Sequence, residues 1–206
     1  MFIALIAANI GTNPRAGNGI AGLCLHAQAR SAKNVPRTHC GFARAERTEN
    51  DMAGTVEKKL LELGVALKEA PAPVANYVPF VRTGNLLIVS GQLCFEGDGK
   101  LAAKGQLGGA VSIEDGQKAA RACAVNVLAQ VKAALGDLDK VSRVVRLGGF
   151  INAKPGFLDG PKVMNGASDL MVAAFGDKGK HARTTVGVAA LPADAAVEVE
   201  GMFEVS

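Results

Sequence analysis

Residues 196–205 alternate in character. Val197, Val199 and Val205, with Met202 or Phe203, take one set of positions, and Glu198, Glu200 and Glu204 take the other. A period of two predicts a half-buried strand, and the slip of phase at Gly201 predicts a β-bulge there. Residues 113–135 follow another period, with Ala120, Cys123, Ala124, Val127, Leu128 and Val131 recurring at spacings of three and four. This is an amphipathic helix, opened by the capping-box-like Ser112-Ile113-Glu114-Asp115 and stopped by Gly136. A second such face, Val163, Leu170, Met171 and Ala174, predicts a helix over 161–175.

The remaining elements follow from shorter signals. Leu60, with Leu63 or Leu61, gives a short helix over 55–63, with Thr55 as its N-cap and Gly64 as its stop. Pro71 and Pro73 mark a loop. Residues 77–82 and 86–90 form a hairpin around Thr83-Gly84-Asn85, with Pro79 placing the first strand at an edge. Strands are also expected over 141–151 and 184–190. Leu191-Pro192 turns the chain, and antiparallel pairing of the last two strands is expected to bring Glu198 toward Thr185 and Arg183.

The order is β–β–α–β–α–β–β after an N-terminal helix. It predicts an α/β (α+β) two-layer sandwich, a mixed sheet with two helices on one face. A doubly wound nucleotide fold needs regular β–α alternation and is excluded; neither a P-loop nor a strand followed by GxGxxG is present. Two helices leave one sheet face uncovered, so a symmetric oligomer is expected to cover it.

Residues 1–51 show neither period. They hold six basic residues against three acidic ones, so most of the overall charge of +4 belongs to this segment. The preferred reading makes Met52 the initiator and 1–51 a translated upstream stretch outside the domain; a transit peptide or a disordered tail are the alternatives. The domain is then 52–206. Its near-neutral charge offers no field for a phosphate backbone. With 4% aromatic residues and no Trp, it also lacks a stacking platform, so nucleic acid is a disfavoured partner. No apolar run of 18 residues exists, so no membrane span is expected. Cys24, Cys40, Cys94 and Cys123 form no CxxC pair and do not combine with His26, His39 or His181 at zinc spacing, so no metal is expected. Unpaired cysteines suit a reducing compartment. The cytoplasm is the expected location, or an organelle if 1–51 is a transit peptide.

Three features carry candidate chemistry. Ser90-Gly91-Gln92 ends an apolar strand where small residues allow close approach to backbone groups, and Gly91 is free to adopt positive φ; the plainer reading of the same residues is a strand end with a bulge. Arg183 precedes a β-prone run, and a guanidinium there can grip a carboxylate in bidentate fashion. Glu198 stands out from the acid row because strand pairing would bring it near that arginine. His181 is expected in a surface loop, and Asp159 and Lys162 are ordinary charges of a helix start.

The stretches 83–92, 182–192 and 197–200 resemble the Rid (RidA/YjgF) family of reactive-intermediate deaminases, some of whose members carry the older label endoribonuclease L-PSP. The resemblance spans about Met52 to the C-terminus. It implies a chorismate-mutase-like sandwich assembled as a homotrimer with clefts between subunits. It also implies cofactor-free hydrolysis of 2-imino acids, such as 2-iminobutanoate and 2-iminopropanoate, to 2-keto acids and ammonia. Arg183 matches the family's carboxylate-binding arginine and Glu198 its water-associated glutamate. Tyr77 matches a cleft tyrosine, Ser90 and Gly91 the backbone-contact pair, and Asn165 a cleft asparagine. Thr185 stands where the family often has cysteine. That departure keeps open a non-catalytic or differently specific metabolite binder on the same scaffold; RNA cleavage is the third reading.

Overall fold

The structure, a computed structural model, describes residues 54–70 and 76–206. The expectations for residues 1–51, the initiator Met52 and the loop at Pro71 and Pro73 lie outside them. In chain order the elements are α1 (Thr55–Glu62), β1 (Phe80–Thr83), β2 (Leu86–Leu93), α2 (Ile113–Leu135), β3 (Val141–Asn152), α3 (Gly160–Phe175), β4 (Ala182–Val188) and β5 (Val197–Val205). This is the predicted order. The five strands form one mixed sheet, β1-β2-β5-β3-β4. Helices α2 and α3 pack on each other; α2 lies over β2 and β5, and α3 over β3 and β4.

Helix α2 forms where its periodicity places it. Ser112 Oγ accepts from Asp115 N at 3.0 Å, and Gly136 closes the helix at φ 77°. The inward side chains Ala120, Cys123, Ala124, Val127, Leu128 and Val131 are all fully buried. Small residues on this face let the helix sit close to the sheet. Phe203 and Leu147 supply bulk from the strands.

Three expectations change. Of the three leucines assigned to α1 only Leu60 turns inward, while Leu61 and Leu63 are exposed. The cap comes from another element: both Asp139 carboxylate oxygens accept, from Thr55 N at 2.8 Å and Val56 N at 2.9 Å. Second, β5 carries no bulge. Its burial alternates without a break, Gly201 takes an inward position, and Met202 faces out. The Phe203 ring covers Gly201, so a side chain there would collide with it. The register shifts fall instead in β2, between Val89 and Gln92, and in β3.

Third, β4 and β5 are not a hairpin. β4 pairs with β3 in parallel, as the helical crossover α3 requires, and β5 inserts between β2 and β3. Leu191-Pro192 therefore leads the chain past β3 rather than back along β4.

Candidate functional site

The parallel register sets Arg183 opposite Leu147 on the helix-covered face, where its guanidinium reaches α3. Nη1 donates to Asn165 Oδ1 and to Ser168 Oγ, each at 3.0 Å, and Nη2 donates to the Pro161 carbonyl at 3.1 Å. Positions 161, 165 and 168 recur at helical spacing, a polar stripe beside the apolar face of α3. Three of the five guanidinium N–H groups are thus committed. The Nε hydrogen and the second on Nη2 have no partner among the described residues. Nε and Nη2 share one edge of the plane, the edge suited to bidentate capture of a carboxylate. Thr185, two residues on, points to the same side and packs its methyl toward Gly160.

Glu198 lies elsewhere. It pairs in register with Leu93 of β2 and Phe150 of β3, and it faces away from the helices. Its neighbours on this open face differ from it in being partnered. Glu200 takes a 2.9 Å ion pair from Arg146, and Glu204 accepts from Asn85 Nδ2 at 3.2 Å. Among the described residues Glu198 has no hydrogen bond or ion pair. Burial, and then the Glu200 carboxylate, raise its pKa above the ordinary glutamate value.

The β2 register shift brings Ser90 and Gly91 to this carboxylate. Ser90 and Gly91 form a bulge inside β2, not at its end. Gly91 does not adopt positive φ. The Glu198 carboxylate occupies the space a Cβ would fill here, so any larger residue would make that side chain shift. Buried Gln92 holds the bulge, its Nε2 donating to the Ser90 and Gly91 carbonyls, each at 3.1 Å. Ser90 Oγ donates to Val78 O at 2.9 Å, and Ser90 N to Pro79 O at 2.9 Å, which draws in the segment carrying exposed Tyr77.

The predicted residues therefore fall into two groups on opposite faces of the sheet. Arg183, Asn165 and Thr185 gather at the β4–α3 edge; Glu198, Gly91, Ser90 and the approach to Tyr77 gather on the open face. Within one chain, the predicted meeting of Glu198 with Arg183 does not occur, because β3 separates their strands.

Sequence reasoning missed Ser168, the part Gln92 plays in holding the bulge, and the bonded state of His181. The last is half-buried, with Nδ1 2.6 Å from Gly179 O and Nε2 3.1 Å from Ser168 Oγ. Ser168 was legible as the residue three after Asn165 on α3.

Glu57, Asp137 and Asp139 also lie together, but Glu57 and Asp139 join α1 to the turn before β3, and Asp137 Oδ1 accepts from Asp139 N within that turn at 2.8 Å. Asp139 caps the helix, and Glu57 Oε1 faces Leu138 N at 3.1 Å and Lys132 Nζ at 3.7 Å. Cys94 and Cys123 are free and buried in the core, and burial pushes the Cys123 thiol up in pKa. No helix among the described residues is long and apolar enough to cross a membrane.

The sheet order and the two helices on one face are those of the chorismate-mutase-like α+β sandwiches. The family model described as "YjgF/chorismate mutase-like, putative endoribonuclease" matches residues 57–204, and the chain belongs to this YjgF/RidA family. "Protein TCP17" of Trypanosoma cruzi is 49% identical over 155 residues, 75% of this chain and 96% of that protein. Among solved structures, Atu1372 from Agrobacterium tumefaciens, of unknown function, is 48% identical with TM-score 0.68, covering 74% of this chain and 94% of its own. A "putative endoribonuclease" from Shewanella oneidensis is 34% identical with TM-score 0.71, covering 74% and 100%.

Proposed function

We propose that this protein hydrolyses 2-imino acids to 2-keto acids and ammonia, without a cofactor, through its domain over residues 52–206. The reading rests on one observation: among the described residues, a guanidinium held on α3 keeps its Nε hydrogen and one Nη2 hydrogen uncommitted, and a glutamate of raised pKa has no partner, each incomplete by itself. In this proposal the protein acts as a homotrimer, the open face of one subunit meeting the β4–α3 edge of the next. Arg183 and Asn165 then complete a cleft with Glu198, Gly91, Ser90 and Tyr77 of a neighbouring copy. The uncovered sheet face supports such packing.

An imine carbon is already electrophilic, so hydrolysis needs orientation, a held water and proton transfer. Arg183 holds the substrate carboxylate, and backbone groups at Ser90 and Gly91 fix the imine end. Glu198 takes a proton from water as its oxygen bonds to C2, and the electron pair of the C=N bond moves to nitrogen. One proton delivered to nitrogen completes the 2-amino-2-hydroxy acid. A second then reaches nitrogen while the C2 hydroxyl yields its proton to the Glu198 carboxylate, so that the O–H electron pair forms the C=O bond, the C–N bond breaks, and ammonia and the keto acid leave. A carboxylate whose pKa lies above the ordinary glutamate value is the stronger base for this step.

The test supplies freshly generated 2-iminobutanoate, made by an amino-acid oxidase, and follows keto-acid release. Acceleration abolished in Arg183→Ala supports the proposal. Saturable binding without turnover would identify a metabolite binder, the reading Thr185 keeps open. RNA cleavage under strict nuclease controls, lost in the same variant, would replace both.

A further inference from the structure

The Gly179 carbonyl can only accept, so the 2.6 Å contact requires a hydrogen on His181 Nδ1. In neutral imidazole Nε2 is then an acceptor, and Ser168 Oγ donates to it across 3.1 Å. The same hydroxyl accepts from Arg183 Nη1 at 3.0 Å. The chain of donors runs from Arg183 to Ser168 to His181 to the Gly179 carbonyl. It ends on backbone that is itself fixed: Gly179 is buried, and its Cα lies against the backbone of Met171 and Val172 in α3, with no room for a Cβ.

We infer that His181 is a positioning residue for substrate-carboxylate recognition. Through Ser168 it fixes the plane of the Arg183 guanidinium and keeps the Nε and Nη2 edge turned outward. Without the imidazole acceptor, the Ser168 hydroxyl is free to rotate and compete for the acceptors Arg183 uses on α3. Arg183 keeps its charge but loses its fixed plane, and bidentate capture depends on that plane. Asn165, Ser168 and the Pro161 carbonyl accept from the guanidinium directly, and His181 acts on it only through Ser168. This inference rests on reading Arg183 as the carboxylate anchor.

The experiment uses the full chain and 2-oxobutanoate, the keto acid released from 2-iminobutanoate, as a binding probe in titration calorimetry. His181→Ala is expected to weaken binding about tenfold, the size of one lost charge-assisted hydrogen bond. His181→Gln, which keeps an acceptor at the ε position, is expected to recover most of it. Ser168→Ala should lose as much as His181→Ala, and the double variant no more than either, because both sit on one path. In the imine assay the loss should fall on KM, with kcat within about twofold. Melting curves identify any variant that loses its fold, in which case the Gln variant carries the test. Losses that add in the double variant, or unchanged binding in His181→Ala while Arg183→Ala abolishes it, would overturn the positioning role and leave the anchor standing. Unchanged binding in Arg183→Ala would overturn both.

Discussion

Strand β5 is used differently on its two faces. Toward the helices it presents Val197, Val199, Gly201, Phe203 and Val205, all buried, in contact with α2. Away from them it presents Glu198, Glu200, Met202 and Glu204, none fully buried. Residues one position apart thus serve separate ends, because successive side chains of a strand point to opposite sides. The first set fills the core, and the second stays on the open face of the sheet. The same division explains the glycines at the sheet centre. Gly148 leaves room for Glu200 on the open face, and Gly149 leaves room for Met164 on the covered one.

The contrast is sharpest at adjacent positions. Phe203→Ala is expected to cost about 3–5 kcal/mol in denaturant unfolding, by transfer and cavity. Met202→Ala should cost less than about 1.5 kcal/mol if its face meets only water. A cost for Met202 matching that of Phe203 would show the open face packed in an assembly, and sedimentation would report the subunit number.

Glu198→Gln tests the open face chemically. Turnover of 2-iminobutanoate should fall about 10²–10⁴-fold, with binding of the keto acid retained. Unchanged turnover would remove Glu198 from the reaction. Gly91→Ala is a smaller displacement of the same group. The new methyl takes the space of the carboxylate, and a shift of about 1 Å is expected to slow turnover on the order of 10²-fold. The smallest effect is on stability. The folded protein binds the Glu198 proton more tightly than the unfolded chain does, so this glutamate contributes stability in acid that is lost as pH rises through its elevated pKa. Glu198→Gln should therefore raise the melting temperature at neutral pH by on the order of 1 °C. The gain should vanish as pH falls below the ordinary glutamate value of 4.5.

Local patterns carried much of the architecture. The cap at Ser112, the stop at Gly136 and the apolar spacing between them set α2 correctly, because these interactions join residues at most four apart. The alternation of β5 was equally legible, and so was a bulge at Ser90-Gly91-Gln92, where the β2 register does shift; the second bulge expected at Gly201 does not form. Register is a property of two strands, and neither sequence states it alone. Arg183, Ser90 and Glu198 could be singled out by residue type and family resemblance. Their grouping was not legible: the turn at Leu191-Pro192 suggested a hairpin, whereas β5 crosses to the far side of β3.

By its sequence the chain determined which segments are helix or strand, which faces are apolar, and which side chains are chemically able to grip a carboxylate or accept a proton. These depend on neighbours along the backbone and on covalent chemistry. Tertiary structure decided the insertion of β5 between β2 and β3, the binding of Arg183 to α3 rather than to Glu198, and the link through Ser168 to His181. Those are outcomes of strand order and layer packing, where contacts between distant residues compete and only the assembled sheet selects among them.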